Sequence, residues 1–179
     1  MIEKAGFPLF GMKESPFIDI HEDVRIVAGT MCSNQKANDI LWLPKPHEAD
    51  RLRRAGAANV FYPHWGFELE AWPRRFLVKQ AREFTKHFDA IIGHHAHNPQ
   101  PLELHDGVPI AYGLGDFCIY FDLPTYRYGM IVSLDIGRPV AGGNARISGV
   151  RWDPIVNRHD PENILVGMAA KPANWLVDD

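Results

Sequence analysis

The amino-acid sequence predicts an α/β fold, a mixed β-sheet sandwich flanked by helices, and three observations support this prediction. Short apolar runs typical of strands occur at residues 59–62 and 90–92. Between them, large apolar residues recur at helical spacing over residues 72–88. This strand–helix–strand order implies parallel pairing, whereas the later short strands, separated by turn residues, favour antiparallel pairing.

Each predicted strand is a short apolar run bounded by Gly, Pro, Asp or Asn. The predicted strands are residues 17–20, 24–28, 59–62, 90–92, 101–104, 108–112, 117–121, 130–136 and 146–152. Residues 31–38 are predicted to be a loop, and the polar residues 105–107 are typical of a hairpin turn.

Three segments are predicted to be helical: residues 46–55, 72–88 and 161–170. The first begins with Pro46, which suits a first helical turn, and is followed by Gly56, which suits a helix end. The second has the clearest pattern, with aromatic residues recurring at multiples of four: Trp72, Phe76, Phe84 and Phe88.

The length and composition indicate one domain over residues 1–179, with 46% hydrophobic residues available for a core. The net charge is -3 and there is no basic block, which argues against nucleic-acid binding. No apolar run is long enough to span a bilayer, and residues 1–20 lack a secretory signal. A cytoplasmic location is therefore expected for the chain as written.

The two cysteines, Cys32 and Cys118, are far apart in the sequence. Their number excludes a zinc module built from cysteines alone and requires no disulfide. Both are expected to be buried free thiols, because free cysteine is among the most buried residue types.

Three histidines follow the predicted strand 90–92, in the sequence Gly-His-His-Ala-His. In an extended segment, residues two apart point to the same side, so His95 and His97 are expected to converge while His94 faces away. Imidazole binds zinc, iron, manganese and nickel. The pattern predicts a metal or phosphate site, and the alternative is an ordinary solvated loop rich in histidine.

A further histidine, His64, follows the predicted strand 59–62. Because neighbouring parallel strands end at the same edge of a sheet, His64 is expected to join His95 and His97 in one cleft. Open α/β sheets carry their binding sites at this edge.

Several short motifs, in one order and at suitable spacing, resemble the CapA family of capsule (poly-γ-glutamate) synthesis proteins in the calcineurin-like metallophosphoesterase superfamily. The motifs lie at residues 61–68, 89–97, 100–103 and 107–117. The resemblance extends from near residue 2 to about residue 136. It implies the carboxyl-terminal part of a four-layer α/β/β/α fold and a metal-dependent hydrolase site acting on a phosphoester or a γ-glutamyl amide.

The resemblance also implies a ligand set for divalent zinc, manganese or iron. It assigns His64 and His95 to one metal and His97 to another, with a water activated between them. Glu68 would orient an imidazole or contact substrate, or else be a solvated carboxylate. His94 is either a general acid or a surface residue.

Asp116 departs from the family pattern, which has asparagine at this position. Three roles are open for Asp116: it could cap its turn, accept a hydrogen bond from a ligand imidazole, or add negative charge that tightens cation binding.

A second departure is the absence of the family's amino-terminal ligands, including a bridging aspartate and an Asn-His turn. Residues 157–160 resemble that turn only superficially, because they lie after the last histidine motif. Without a bridging carboxylate, three imidazoles are expected to hold one metal more readily than two. The chain is therefore expected to correspond to the carboxyl-terminal part of a longer protein.

Three interpretations follow: a hydrolase or transferase, a non-catalytic binding or assembly component, and a truncated chain that requires a complementary upstream chain. The expected ligands are an anionic polymer or a small phosphoester or γ-glutamyl substrate. An uncovered sheet edge would favour a homodimer, since unpaired edges attract other strands. The resemblance further implies that full-length family members are membrane-anchored and face outward.

Overall fold

Two β-sheets form the framework of the computed structural model, which describes residues 6–33, 39–119, 123–159 and 164–169. The strands are β1 Phe17–His21, β2 Val24–Thr30, β3 Ala58–His64, β4 Ala90–Ile92, β5 Leu102–His105, β6 Val108–Ala111, β7 Tyr128–Gly137, β8 Arg146–His159 and β9 Ile164–Met168. The helices within these ranges are the α-helix α1, Arg75–Phe84, and 3₁₀ helices at Pro46–Leu52 and Pro124–Tyr126.

The larger sheet has the strand order β1-β2-β3-β4-β6-β5. Strands β2, β3, β4 and β6 are parallel, and β1 and β5 pair antiparallel at the two edges. The predicted mixed α/β sheet and its β3–α1–β4 unit are therefore confirmed. Consequently, the carboxyl ends of four parallel strands lie along one edge.

One face of the larger sheet is covered by α1 and the first 3₁₀ helix. Leu77, Ala81 and Phe84 of α1 are buried against Phe61 of β3 and Ile91 of β4. Burying the larger of these side chains, such as Leu77 and Phe84, stabilises the fold by about 1.5–3 kcal/mol each. The helix therefore holds the two strands that lead to the predicted histidine site.

The other face packs on the antiparallel sheet β7-β8-β9. Ile92 and Ala111 contact a cluster that includes Val132, Leu134 and Ile147 of this second sheet. The described residues thus form three layers, in the order helix, sheet, sheet. The fourth layer implied by the family resemblance is not found among them and stays a prediction.

Two predicted elements are wrong. Residues 164–168, within the predicted helix 161–170, form β9, because their apolar run pairs with the long strand β8. Residues 117–119 are not a strand: after Asp116 the chain bends instead of pairing. The rest of these two predictions, at residues 120–121, 161–163 and 170, lies outside the described residues.

The central helix is shorter than its sequence pattern predicts. It begins at Arg75, and the side chains of Trp72 and Phe76 are 66% and 48% exposed. Of the four aromatic residues in the pattern, Phe84 and Phe88 are buried, together with Leu77 and Ala81. The pattern therefore predicts the buried face in the second half of the segment and fails at its start.

The fully buried indole of Trp65 links the end of β3 to the end of β6. Trp65, directly after β3, donates its Nε1–H to the carbonyl oxygen of Tyr112 at 2.9 Å. The indole crosses directly over Gly93, where an added Cβ would lie 2.2 Å from Trp65 Nε1 and 2.3 Å from Tyr112 O. Glycine is required at position 93 because any side chain would collide with this hydrogen bond.

We expect Gly93→Ala to destabilise the protein by about 3 kcal/mol or more, because it displaces a packed indole and breaks a buried hydrogen bond. The free energy of unfolding, measured in urea, checks this. Gly137→Ala is the matched control, since an added Cβ there meets no atom within 4 Å. Equal stability of the two variants would contradict the expectation.

Candidate metal centre

A cleft of about 630 Å³ opens at the carboxyl ends of the parallel strands. Its chemically active lining comes from the ends of β2, β3 and β4: Thr30, Cys32, Tyr62, His64, Glu68, His94, His95 and His97. All four histidines singled out in the sequence therefore reach one cleft.

His64 is the last residue of β3, and Thr30 of β2 fixes its imidazole. The Thr30 hydroxyl donates to the carbonyl oxygen of Cys32 at 2.5 Å, and its Oγ1 lies 3.0 Å from His64 Nδ1. A hydroxyl has one proton to donate, so His64 Nδ1–H is the donor to Thr30 in this arrangement. The neighbouring strand thus sets both the tautomer and the orientation of the ring.

Cys32 lies against two of the predicted ligands. Its Sγ is 3.4 Å from His95 Nε2 and 3.8 Å from His64 Nδ1. The ligand atoms of Cys32, His64 and His95 all lie within 4.8 Å of one another, and this is the one such set of three donors among the described residues. A thiol with two imidazoles is a donor set that fits zinc.

The sequence did not identify Cys32 as a site residue. It was expected to be a buried thiol, like Cys118, but Cys32 is half-buried in the cleft and Cys118 is exposed. The predicted strand ended at Ala28, whereas β2 continues to Thr30. Because β2 pairs in parallel with β3, the longer strand places Cys32 beside His64. In the sequence, the pointer to this contact is that Cys32 and His64 both follow predicted strands.

His97 belongs to a separate pair with Asp116. Its Nδ1–H donates to Asp116 Oδ1 at 2.8 Å, and its ring centroid lies 6.3 Å from that of His95. Of the three roles considered for Asp116, the structure shows the hydrogen bond to an imidazole. A carboxylate in this position fixes the tautomer of a histidine and leaves Nε2 free to act.

Asp116 is held at this point by the second sheet. Its backbone N–H donates to Tyr128 O at 3.1 Å, and its carbonyl oxygen accepts from Asn157 Nδ2 at 2.8 Å. A Cβ on Gly129 would lie 2.3 Å from that same carbonyl oxygen. Asp116 Oδ2 is buried without a hydrogen-bond partner among the described residues. The second sheet thus holds in place the carboxyl group that orients His97.

His94 does not face away from the cleft, as its position in the sequence predicted. Its ring stacks on Tyr62 at a centroid distance of 4.4 Å and lies 5.1 Å from the ring of His64. The alternation argument fails because the chain is not extended here: His95 and His97 have φ values of 99° and 54°. His94 instead pairs with His64 as a parallel bridge, which continues the sheet by one residue.

Burial favours the neutral form of three imidazoles in the cleft, those of His64, His94 and His95. It lowers the pKa of His94 to about 4, and the neighbouring His64, His95 and His97 add to this effect. Burial also lowers the pKa of His64, and repulsion from His95 and His97 adds to this effect. The pKa of His95 is lowered by burial and by repulsion from His97. Neutral imidazoles carry the lone pairs that a cation requires.

The exposed carboxylate of Glu68 lies at the mouth of the cleft. Burial raises the pKa of the Cys32 thiol, and the charge of Glu68 raises it further. The same charge raises the pKa of His95, against the effect of burial. Glu68 therefore makes the cleft more attractive to a cation, and its role toward an imidazole or a substrate stays a prediction.

Comparison with known proteins places these residues in a family context. Residues 43–120 match the family described as "Bacterial capsule synthesis protein PGA_cap". Two curated proteins from two strains of Mycobacterium tuberculosis, each called "Probable polyglutamine synthesis accessory protein", are 22% identical over 134 residues. The alignment covers 63% of this chain and 35% of each relative. The chain thus spans about a third of the length of these relatives.

Within the described ranges, no helix is both long enough and apolar enough to cross a bilayer. The cellular compartment stays a prediction.

The lowered pKa of His94 predicts a loss of stability in mild acid for the metal-free protein. Between the unfolded pKa of 6.5 and the folded value of about 4, the unfolded chain binds a proton that the folded chain does not. Stability therefore falls as the pH falls through this range, by about 3 kcal/mol at most for His94.

We expect His94→Asn to show a shallower loss of unfolding free energy than the wild type, with His64 and His95 accounting for the remainder. Urea unfolding of chelator-treated protein, at several pH values from about 7 to about 4, measures it. His47→Asn, at an exposed position outside the cleft, is the control and should follow the wild type. Identical slopes for all three proteins would refute the assignment.

Proposed function

We propose that this chain, whose residues 43–120 match the bacterial capsule synthesis protein family PGA_cap, serves in the synthesis of capsule or poly-γ-glutamate through a metal-dependent, hydrolase-like site. The proposed substrates are a phosphoester or a γ-glutamyl amide, either free or within an anionic polymer. The names of the two curated relatives, which refer to polyglutamine synthesis, support the biosynthetic context.

The observation that carries this proposal is the convergence of neutral imidazoles at the carboxyl ends of parallel strands. His64 and His95 have ring centroids 4.2 Å apart, and His97 lines the same cleft. Burial lowers the pKa of both His64 and His95, so both rings have lone pairs available for a shared cation. The edge of the sheet on which they lie is the usual location of sites in open α/β folds.

The residues present fit a divalent cation, and the proposed ions are zinc, manganese or iron. His64 and His95 would hold the ion, and a bound divalent cation supplies Lewis acidity that polarises the scissile group and activates water. His97, oriented by Asp116, would bind a second cation or direct its Nε2 at the substrate. Glu68 would orient substrate at the mouth of the cleft. His94 would contact the substrate as a neutral imidazole and not as a general acid, because burial lowers its pKa to about 4.

A non-catalytic role in binding or assembly is the second candidate. It is favoured by the fact that the chain aligns with 35% of the length of the curated relatives. It is also favoured by the lack, among the described residues, of a carboxylate within the cluster of Cys32, His64 and His95. In this case the cleft would bind the anionic polymer without turnover, or a complementary chain would complete the ligand set.

A second copy of this chain is the other proposed partner. Strand β1 is an edge of the larger sheet, and its Ile20 is 62% exposed. An exposed edge strand with an apolar side chain can pair with another strand. Light scattering over a range of concentrations tests this, and a monomer throughout would contradict it.

We expect the purified protein to contain about one divalent ion per chain, and the His95→Ala/His97→Ala double variant to lose it, because both imidazoles are removed. Elemental analysis measures the metal, and release of nitrophenol or nitroaniline from a phosphoester and a γ-glutamyl anilide measures hydrolysis. His105→Ala is the matched control, since His105 lies on β5 and does not line the cleft.

The two candidates give different results. Metal-dependent hydrolysis in the wild type and in His105→Ala, lost in the double variant, would support the enzyme. Metal binding with no turnover of either substrate, together with binding of poly-γ-glutamate, would favour the assembly role. Protein that binds no metal even after loading, and binds no polymer, would overturn both.

A further inference from the structure

We propose that Cys32, His64 and His95 form a mononuclear zinc site in which the Cys32 thiolate is a ligand. This inference rests on the proposed function insofar as both place a divalent cation in the cleft. It differs by assigning a cysteine to the ligand set, by excluding His97 from it, and by narrowing three candidate metals to zinc.

The separations between the donor atoms match a tetrahedral ion. With Zn–S near 2.3 Å and Zn–N near 2.0–2.1 Å, sulfur and nitrogen ligands of one zinc lie about 3.6 Å apart. The Cys32 Sγ lies 3.4 Å from His95 Nε2 and 3.8 Å from His64 Nδ1. Both sulfur–nitrogen distances therefore lie within about 0.2 Å of the tetrahedral value, and all three donor atoms lie within 4.8 Å of one another.

The backbone holds Cys32 in place beside His64. Thr30 pairs with His64 in the parallel register of β2 and β3, and Met31 N–H donates to His64 O at 2.8 Å. The Thr30 hydroxyl also donates a hydrogen bond to the carbonyl oxygen of Cys32, two residues further along the chain. The thiol is thus fixed by the same strand pairing that fixes the imidazole, and this is the rigid support that a metal site requires.

Thr30 also sets the strength of the site. His64 Nδ1 is the ring nitrogen that faces the thiol, and in the metal-free protein it donates to Thr30 Oγ1 at 3.0 Å. Zinc requires the lone pair of this nitrogen, so the ring proton must move to Nε2 and the hydrogen bond to Thr30 is broken. Removal of the Thr30 hydroxyl should therefore tighten zinc binding rather than weaken it.

The donor set selects the metal. Thiolate is a soft ligand that favours zinc over manganese, whereas a site made of imidazole and carboxylate alone accepts manganese and iron. Three protein ligands also leave a fourth position of the tetrahedron open to the cleft, as in catalytic rather than structural zinc sites. His97 and Asp116 lie outside this set and remain available to act on whatever occupies that position.

Cobalt titration of the metal-free protein tests the ligand assignment without reference to activity. Cobalt(II) replaces zinc and shows a thiolate-to-metal charge-transfer band in the near ultraviolet only if sulfur is bound. We expect the band in the wild type and in Cys118→Ser, the matched control at the exposed cysteine, and its loss in Cys32→Ser. Zinc affinity should fall by at least about 100-fold in Cys32→Ser, since even outer partners of ligands change affinity by about 10- to 100-fold.

Three further readouts make the test decisive. Thr30→Val should bind zinc at least as tightly as the wild type and keep the cobalt band. Manganese should bind the wild type more weakly than zinc, and this preference should disappear in Cys32→Ser. Urea unfolding of the metal-free Cys32→Ser and Cys32→Ala variants reports whether they fold, and a variant that unfolds is replaced by the other one.

Failure of this inference is distinguishable from failure of the proposed function. A cobalt band that persists in Cys32→Ser, or zinc binding unchanged in that variant, would overturn the thiolate ligand even if hydrolysis is observed. Hydrolysis lost in Cys32→Ser with metal affinity unchanged would also overturn it, because Cys32 would then act as a nucleophile. A band that depends on Cys32 in a protein without turnover would uphold the zinc site and count against the hydrolase.

Discussion

The parallel register of β2, β3 and β4 is the constraint on which the rest of the site depends. It aligns Thr30 with His64 and His64 with His94 across three neighbouring strands. A parallel sheet brings successive strand ends to the same edge, and here those ends carry a hydroxyl and two imidazoles. The buried hydrogen bond between Trp65 and Tyr112, passing over Gly93, extends this alignment to β6. Distortion of that register would separate all of the candidate ligands together.

The electrostatics of the cleft favour the binding of a cation. The imidazoles of His64, His94 and His95 lie close together and are partly buried. Protonation of any one of them therefore costs free energy, and their pKa values are lowered. Neutral rings offer lone pairs at neutral pH without the proton competition that an exposed histidine would face. Glu68 adds a negative charge at the mouth, so the site combines neutral donors inside with an attractive field at its entrance.

The two sheets divide the chemistry between them. The larger sheet supplies the cluster of Cys32, His64 and His95, whereas the second sheet holds Asp116 through backbone contacts that leave no room for a side chain at Gly129. Asp116 in turn orients His97. Because the two groups are supported by different layers, a change in one sheet can alter the His97–Asp116 pair and leave the cluster in place. This separation is consistent with one ion and one independently oriented imidazole in the same cleft.

The sequence by itself determined the mixed α/β class, the β3–α1–β4 unit and the placement of His64, His95 and His97 at one edge, because hydrophobic periodicity and chain order suffice for these. Only the tertiary structure decided three other points. Positive φ values at His95 and His97 interrupt the extended backbone, so the alternation of side chains that predicts His94 outside the cleft does not apply. Two more residues of β2 brought Cys32 to the histidines, and pairing with β8 made residues 164–168 a strand rather than a helix. Each of these three points depends on contacts between residues distant in the chain. Such contacts cannot be predicted from the local spacing of apolar and polar residues.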